Sequence, residues 1–166
     1  GTPVPDDGLD GKGNTYSWEA MGKGQPIRFG TINFHVGVQG AIISAEQEIP
    51  VPQGNYKTLN MAVTMVNSRG FPYVKLTFTD GSTDKWYFDY NTGVRDWARP
   101  IPNLANVIAT GAYRNQRDGT KDPRPVYLYG FSYAIPEGKT LKSITPFKGE
   151  GLGEGDLRIL DIQMGN

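Results

Sequence analysis

From Thr58 onward the chain alternates. Leu59, Met61, Val63 and Met65 are separated by Thr58, Asn60, Ala62 and Thr64, the period-two pattern of a strand with one buried face. Val74, Leu76 and Phe78 repeat it between Tyr73, Lys75, Thr77 and Thr79, and Asp80-Gly81-Ser82 supplies a hairpin turn. The return strand sets Trp86, Phe88 and Tyr90 on one face and Lys85, Tyr87 and Asp89 on the other. Residues 105–112 make a further strand. Residues 126–135 make a stronger one, with Tyr127, Tyr129, Phe131 and Tyr133 opposite Val126, Leu128, Gly130 and Ser132. After the Pro136-Glu137-Gly138 turn, residues 139–145 form a short strand. Residues 156–164 close the chain, with Leu160, Ile162 and Met164 directed inward. Residues 27–36 and 46–51 are weaker strands.

No stretch of eleven residues carries a 3.6-residue period. The expectation is therefore all-β, with about eight to ten short antiparallel strands between Gly/Pro turns. A β-sandwich is preferred to a barrel, because large rings on alternating faces fill the roughly 10 Å between two sheets. Without repeat or linker, residues 1–166 read as one domain with a Gly-rich N-terminal segment, 1–13. Residues 149–155 are Gly-rich as well.

Composition narrows the chemistry. The 166 residues suit one domain, and 17 Lys+Arg balance 17 Asp+Glu, which argues against a nucleic-acid footprint. No run of 18 apolar residues suggests a membrane span. Cysteine is absent, so thiol catalysis, disulfides and thiolate zinc sites are excluded, and the single histidine leaves His35 as the one available imidazole base. His35 alternates with apolar neighbours and reads as a partly exposed strand residue rather than a catalytic one. The opening Gly1-Thr2-Pro3, without initiator Met or signal peptide, reads as that of an excised domain or processed product.

Carboxylates are plentiful but form no catalytic pattern, and no P-loop, GxSxG or HExxH motif occurs. Rings beside planar polar groups are more telling. A sugar presents an apolar C–H face edged by hydroxyls, and is held by an aromatic ring with Asn, Asp, Gln or Arg at its rim. Arg95-Asp96-Trp97-Ala98-Arg99 and Tyr113-Arg114-Asn115-Gln116 have that mixture, with Asp122 close by in sequence. The candidate ligand-binding residues are thus Trp97, Tyr113, Arg114, Asn115 and Asp122. The competing reading makes Trp97 and Tyr113 corner residues that pin loops. Acids among glycines in residues 6–14 resemble oxygen-coordinating calcium loops. A structural calcium would use Asp7 and Asp10 and tie the N-terminal segment to the last strand near Asp161; the competing reading is a solvated chain start.

Several short motifs recur in one order. They are Gly8-Leu9-Asp10-Gly11-Lys12-Gly13-Asn14-Thr15-Tyr16-Ser17, Ile49-Pro50-Val51-Pro52-Gln53-Gly54-Asn55-Tyr56, and Leu76-Thr77-Phe78-Thr79-Asp80-Gly81-Ser82. Asp96-Trp97, Arg124-Pro125-Val126-Tyr127-Leu128-Tyr129 and Lys139-Thr140-Leu141-Lys142-Ser143-Ile144-Thr145 follow. Over residues 8–164 this order resembles the β-sandwich accessory domains of secreted carbohydrate-active enzymes, similar in kind to jelly-roll carbohydrate-binding modules. The resemblance implies a jelly roll, secretion, often a structural calcium, and a glycan ligand.

The functional expectation is a non-catalytic, secreted, monomeric carbohydrate-binding domain. It would bind polysaccharide or oligosaccharide and hold a catalytic domain of the same parent chain near it, with no nucleic-acid or membrane partner. Two other readings stay open. One is a structural sandwich packed against a catalytic domain without glycan; the other is a small polysaccharide-degrading enzyme on the same scaffold.

Overall fold

The computed structural model describes residues 9, 15–16, 22–36, 41–66, 71–88, 106–150 and 156–166. These residues form fourteen strands, every pairing antiparallel, and no α-helix; a 3-10 turn spans Gly22–Gly24. The short early strands are β1 (Thr15–Tyr16), β2 (Ile27–Phe29), β3 (Ile32–Phe34), β4 (Ile42–Ile43) and β5 (Ile49–Pro50). The central ones are β6 (Thr58–Val66), β7 (Phe71–Phe78), β8 (Thr83–Tyr87) and β9 (Val107–Gly111). After the small β10 (Arg114–Asn115) and β11 (Lys121–Asp122) come β12 (Val126–Ala134), β13 (Leu141–Glu150) and β14 (Asp156–Gly165).

Two sheets make the body. A five-stranded sheet runs β4-β14-β6-β12-β9 and a four-stranded sheet runs β5-β13-β7-β8. They share one hydrophobic core. Leu59, Met61, Val63, Tyr129, Phe131, Leu157 and Ile159 enter it from the first sheet, and Val74, Leu76, Phe78, Leu141 and Ile144 from the second. The alternation read in β6, β7 and β12 is what delivers these side chains to one face each. The β7–β8 hairpin forms at residues 80–82: Gly81 takes φ +86°, Phe78 N–H donates to Ser82 O (2.9 Å), and Asp80 accepts from Ser82 N–H (2.8 Å).

The strand count exceeds the expected eight to ten because several early and loop segments pair in twos and threes. Residues 27–36 are not one strand. Gly30, at φ +59°, turns the chain so that β2 and β3 form a hairpin, Ile27 opposite Phe34. The second difference concerns β6, which is buried on both faces instead of one. A second cluster lies on the outer face of the five-stranded sheet: Leu9, Tyr16, Ile27, Phe34 and Val36 pack on Ala62, Val126, Leu128 and Leu160. The third concerns Leu160. A register shift between Ile159 and Asp161 changes the parity of β14, so Leu160 faces this second cluster while Ile162 and Met164 pack against the main core.

Polar contacts fasten the covering layer. Tyr16 Oη donates to Tyr127 O (2.5 Å), and Arg158 Nε donates to Leu9 O (2.9 Å). Arg158 is buried and ion-paired with Asp156, so its charge is compensated beside Leu9.

Candidate functional site

The hairpin of β10 and β11 gathers four of the residues read as sugar-binding. Arg114 lies opposite Asp122, and Arg114 Nε donates to Asp122 Oδ2 at 2.8 Å. That bond, with the Arg114 charge, holds the Asp122 carboxyl below its ordinary value. Asn115 is buried where β10 pairs with β1. Tyr113 is half-buried, with the Lys121 ammonium 4.5 Å from its ring centre. The connecting turn is built for closure: Gly119 takes φ +87°, and Thr120 Oγ1 donates to Asp118 Oδ1 (2.6 Å) and contacts Gln116 Oε1 (2.8 Å). Arg114 and Asp122 thus hold each other, and Tyr113 and Lys121 combine a ring with a cation. Trp97, the fifth candidate, lies outside the described residues.

Of the calcium candidates, Asp7 and Asp10 also lie outside the described residues. Asp161 is on β14, where its Oδ2 accepts from His35 N–H (2.7 Å) and Gln163 Nε2 (3.0 Å) while Oδ1 accepts from Ile162 N–H (2.9 Å). Three N–H donors thus already share this carboxylate, two on Oδ2 and one on Oδ1. The His35 amide ties the chain after β3 to the last strand at this carboxylate. His35 follows β3 with an exposed side chain. Among the described residues no three of His, Cys, Asp and Glu come together, and no helix is long and apolar enough to cross a membrane.

At one edge of the two sheets the Trp86 ring packs at a tilt against Phe88 (4.6 Å) and Tyr133 (5.5 Å). Tyr133 Oη donates to Asp84 Oδ2 (2.5 Å). Burial, then the Asp84 bond and charge, push the Tyr133 hydroxyl up to about 12. Trp86 is half-buried against the main core, where it closes the gap between the sheets.

The outer face of the four-stranded sheet is different. Side chains alternating with the core residues Val74 and Leu76 are Tyr73, Lys75 and Thr77; across from them in register stand Tyr87, Lys85 and Thr83. On the other flank, Phe147 faces Tyr73 and Thr145 faces Lys75. The Tyr73 and Phe147 rings lie 4.8 Å apart and nearly parallel (10°), and Tyr87 leans on Tyr73 at 5.3 Å. Lys85 Nζ sits 4.9 Å from the Tyr73 ring centre and Lys75 Nζ 5.9 Å from that of Phe147. Tyr73 is nearly covered by these neighbours, whereas Tyr87 is 39 % exposed. Among the described residues neither hydrophobic cluster claims a side chain of this face.

The sequence carried half of this signal. Lys85 and Tyr87 stand opposite Trp86 in the alternation, as do Tyr73 and Lys75 opposite Val74, but which face joins no core among the described residues depends on distant packing. Phe147 was missed because the strand was ended at Thr145, before Pro146; in the fold β13 carries Pro146 opposite Val74 and continues past it. Compared with known proteins, the chain matches no protein-family model and no curated protein sequence.

Proposed function

We propose that this domain is a non-catalytic carbohydrate-binding β-sandwich of the jelly-roll kind, secreted, that holds a linked catalytic domain near polysaccharide. The observation that carries the proposal is the contrast between the two outer faces. One is covered by β2, β3, Leu9 and Tyr16, and the other presents Tyr87, backed by Tyr73 and Phe147 and rimmed by lysines and threonines.

The chemistry suits a sugar. Tyr73 and Phe147 use their facing sides on each other, which fixes the row and leaves Tyr87 as the ring with a free flank. A pyranose C–H face packs on that flank, while Lys75, Lys85 and the hydroxyls of Thr77 and Thr83 reach ring oxygens and hydroxyls. Because the ring is already held, little side-chain freedom is lost on binding. The affinity of one such shallow site is modest, since each hydrogen bond replaces one to water.

The β10–β11 hairpin is the second location supported by a specific contact, that of Lys121 over Tyr113. A glycan array and an insoluble-polysaccharide pull-down with Tyr87→Ala and Tyr113→Ala separate the two. Loss of retention in Tyr87→Ala alone places the sugar on the open sheet face. Loss in Tyr113→Ala alone moves it to the hairpin, and silence of the unaltered domain across all glycans overturns the proposal.

A further inference from the structure

Lys75 and Lys85 are directly opposite each other on neighbouring strands, with both side chains on the same outer face. Like charges in that position oppose pairing of the strands. Neither lysine forms an ion pair among the described residues; each ammonium lies over a ring instead, Lys85 over Tyr73 and Lys75 over Phe147. Glu48 is held by Ser143 Oγ (2.8 Å) beyond Thr145, on the far side of β13 from Lys75. Asp84 projects to the opposite side of β8 and accepts from Tyr133. The chain as a whole is neutral, so this pair is a local concentration of positive charge and not the expression of a basic protein.

The strand pairing does not explain two cations, neither paired with a carboxylate among the described residues, beside an exposed tyrosine. A ligand does. An anionic group placed between the ammoniums relieves their repulsion, and the sugar ring bearing it lies against Tyr87 in the next register position. Resting on this reading of the open face as a glycan site, we infer that its ligand is an acidic polysaccharide, one whose sugars carry carboxylate or sulfate groups. The rings fix the lysine stems, so the charge is presented at a defined height above the sheet. The threonines at positions 77 and 83 supply neutral donors and acceptors around it.

The test measures binding of the full chain to polygalacturonate, to its fully methyl-esterified form and to dextran sulfate, each at about 20 and 300 mM NaCl. Variants are Lys75→Gln/Lys85→Gln, a charge-matched control Lys23→Gln/Lys57→Gln at exposed positions away from the face, and Tyr87→Ala. The inference expects acidic polymer to bind about tenfold more tightly than the ester, with the preference falling at high salt. It expects the Lys75/Lys85 pair, and not the control pair, to remove that preference while the melting temperature is kept. Stronger retention by polygalacturonate than by dextran sulfate names carboxylate as the anion, and the reverse order names sulfate.

Equal binding of acid and ester, abolished by Tyr87→Ala, overturns the acidic class and leaves the glycan module standing. Equal loss in the control pair, or equal retention of single-stranded DNA, also overturns it, because the attraction is then unspecific. Absence of binding to every polysaccharide, neutral ones included, overturns the module reading itself.

Discussion

The ring of Phe29 lies against the backbone of Gly130, close enough that a Cβ at position 130 would stand 2.9 Å from it. Ile108 Cγ2 approaches the same point from β9 at 2.9 Å. The β2–β3 hairpin is therefore seated directly on β12 and is part of the packed structure. Gly130→Ala should destabilise the domain by about 1–3 kcal/mol through overpacking, read as a lower denaturation midpoint with unchanged m-value. A neutral substitution would mean that the hairpin rests loosely on the sheet.

The Arg114–Asp122 pair makes stability depend on pH. Its hydrogen bond lowers the Asp122 pKa in the folded state, so its contribution is present above the ordinary value near 3.8 and is lost as pH falls through the lower folded value. Both side chains are partly exposed, which limits the pair to about 0.5–1 kcal/mol. Arg114→Met should cost that amount at pH 7 and flatten the fall in melting temperature below pH 4. Asp80 and Asp118, lowered by bonds from Ser82 and Thr120, titrate in the same acid region and should be unaffected by the change.

Tyr133 gives the alkaline counterpart. Its folded pKa is raised from 10 to about 12, so the stability it contributes is complete below pH 10 and is lost as pH rises toward about 12. Ultraviolet titration should show a late-ionising component from Tyr133, which Tyr133→Phe should remove. Asp84→Asn should bring it earlier without restoring it fully, because burial is the larger cause.

Asp161 offers a test of the calcium expectation. Its carboxylate accepts from the amides of His35 and Ile162 and from Gln163, so Asp161→Ala should destabilise the domain by about 1–3 kcal/mol by leaving these donors unmet. Chelator should leave the melting temperature of the unaltered domain where it was. A chelator-induced drop that Asp161→Ala abolishes would assign a metal to this carboxylate after all.

These relationships show what a sequence exposes and what it conceals. Period-two patterning revealed β6, β7 and β8, because in each the large apolar set falls on one parity and enters one core, and β12, whose aromatic row enters that core while Val126 and Leu128 enter the second cluster. It did not reveal that Thr58, Asn60, Ala62 and Thr64 are covered, since small and polar residues read alike whether they face water or a second layer. Gly130 was the available sign, a strand glycine where another element approaches closely. The parity change in β14 was invisible because a bulge leaves no composition of its own. At the hairpin, Arg114, Asn115 and Asp122 were rightly grouped as neighbours. That Arg114 and Asp122 pair with each other was not legible there, because Arg and Asp serve each other as readily as a ligand.

The open face carries the account, and Tyr87 is its exposed ring. Binding isotherms of the unaltered domain and of Tyr87→Ala should be measured on the polysaccharide that the pull-down selects, with melting temperatures recorded alongside. The account predicts loss of binding by at least about tenfold, the contact of one stacked ring, at an unchanged melting temperature. Full binding by a folded Tyr87→Ala protein would contradict it.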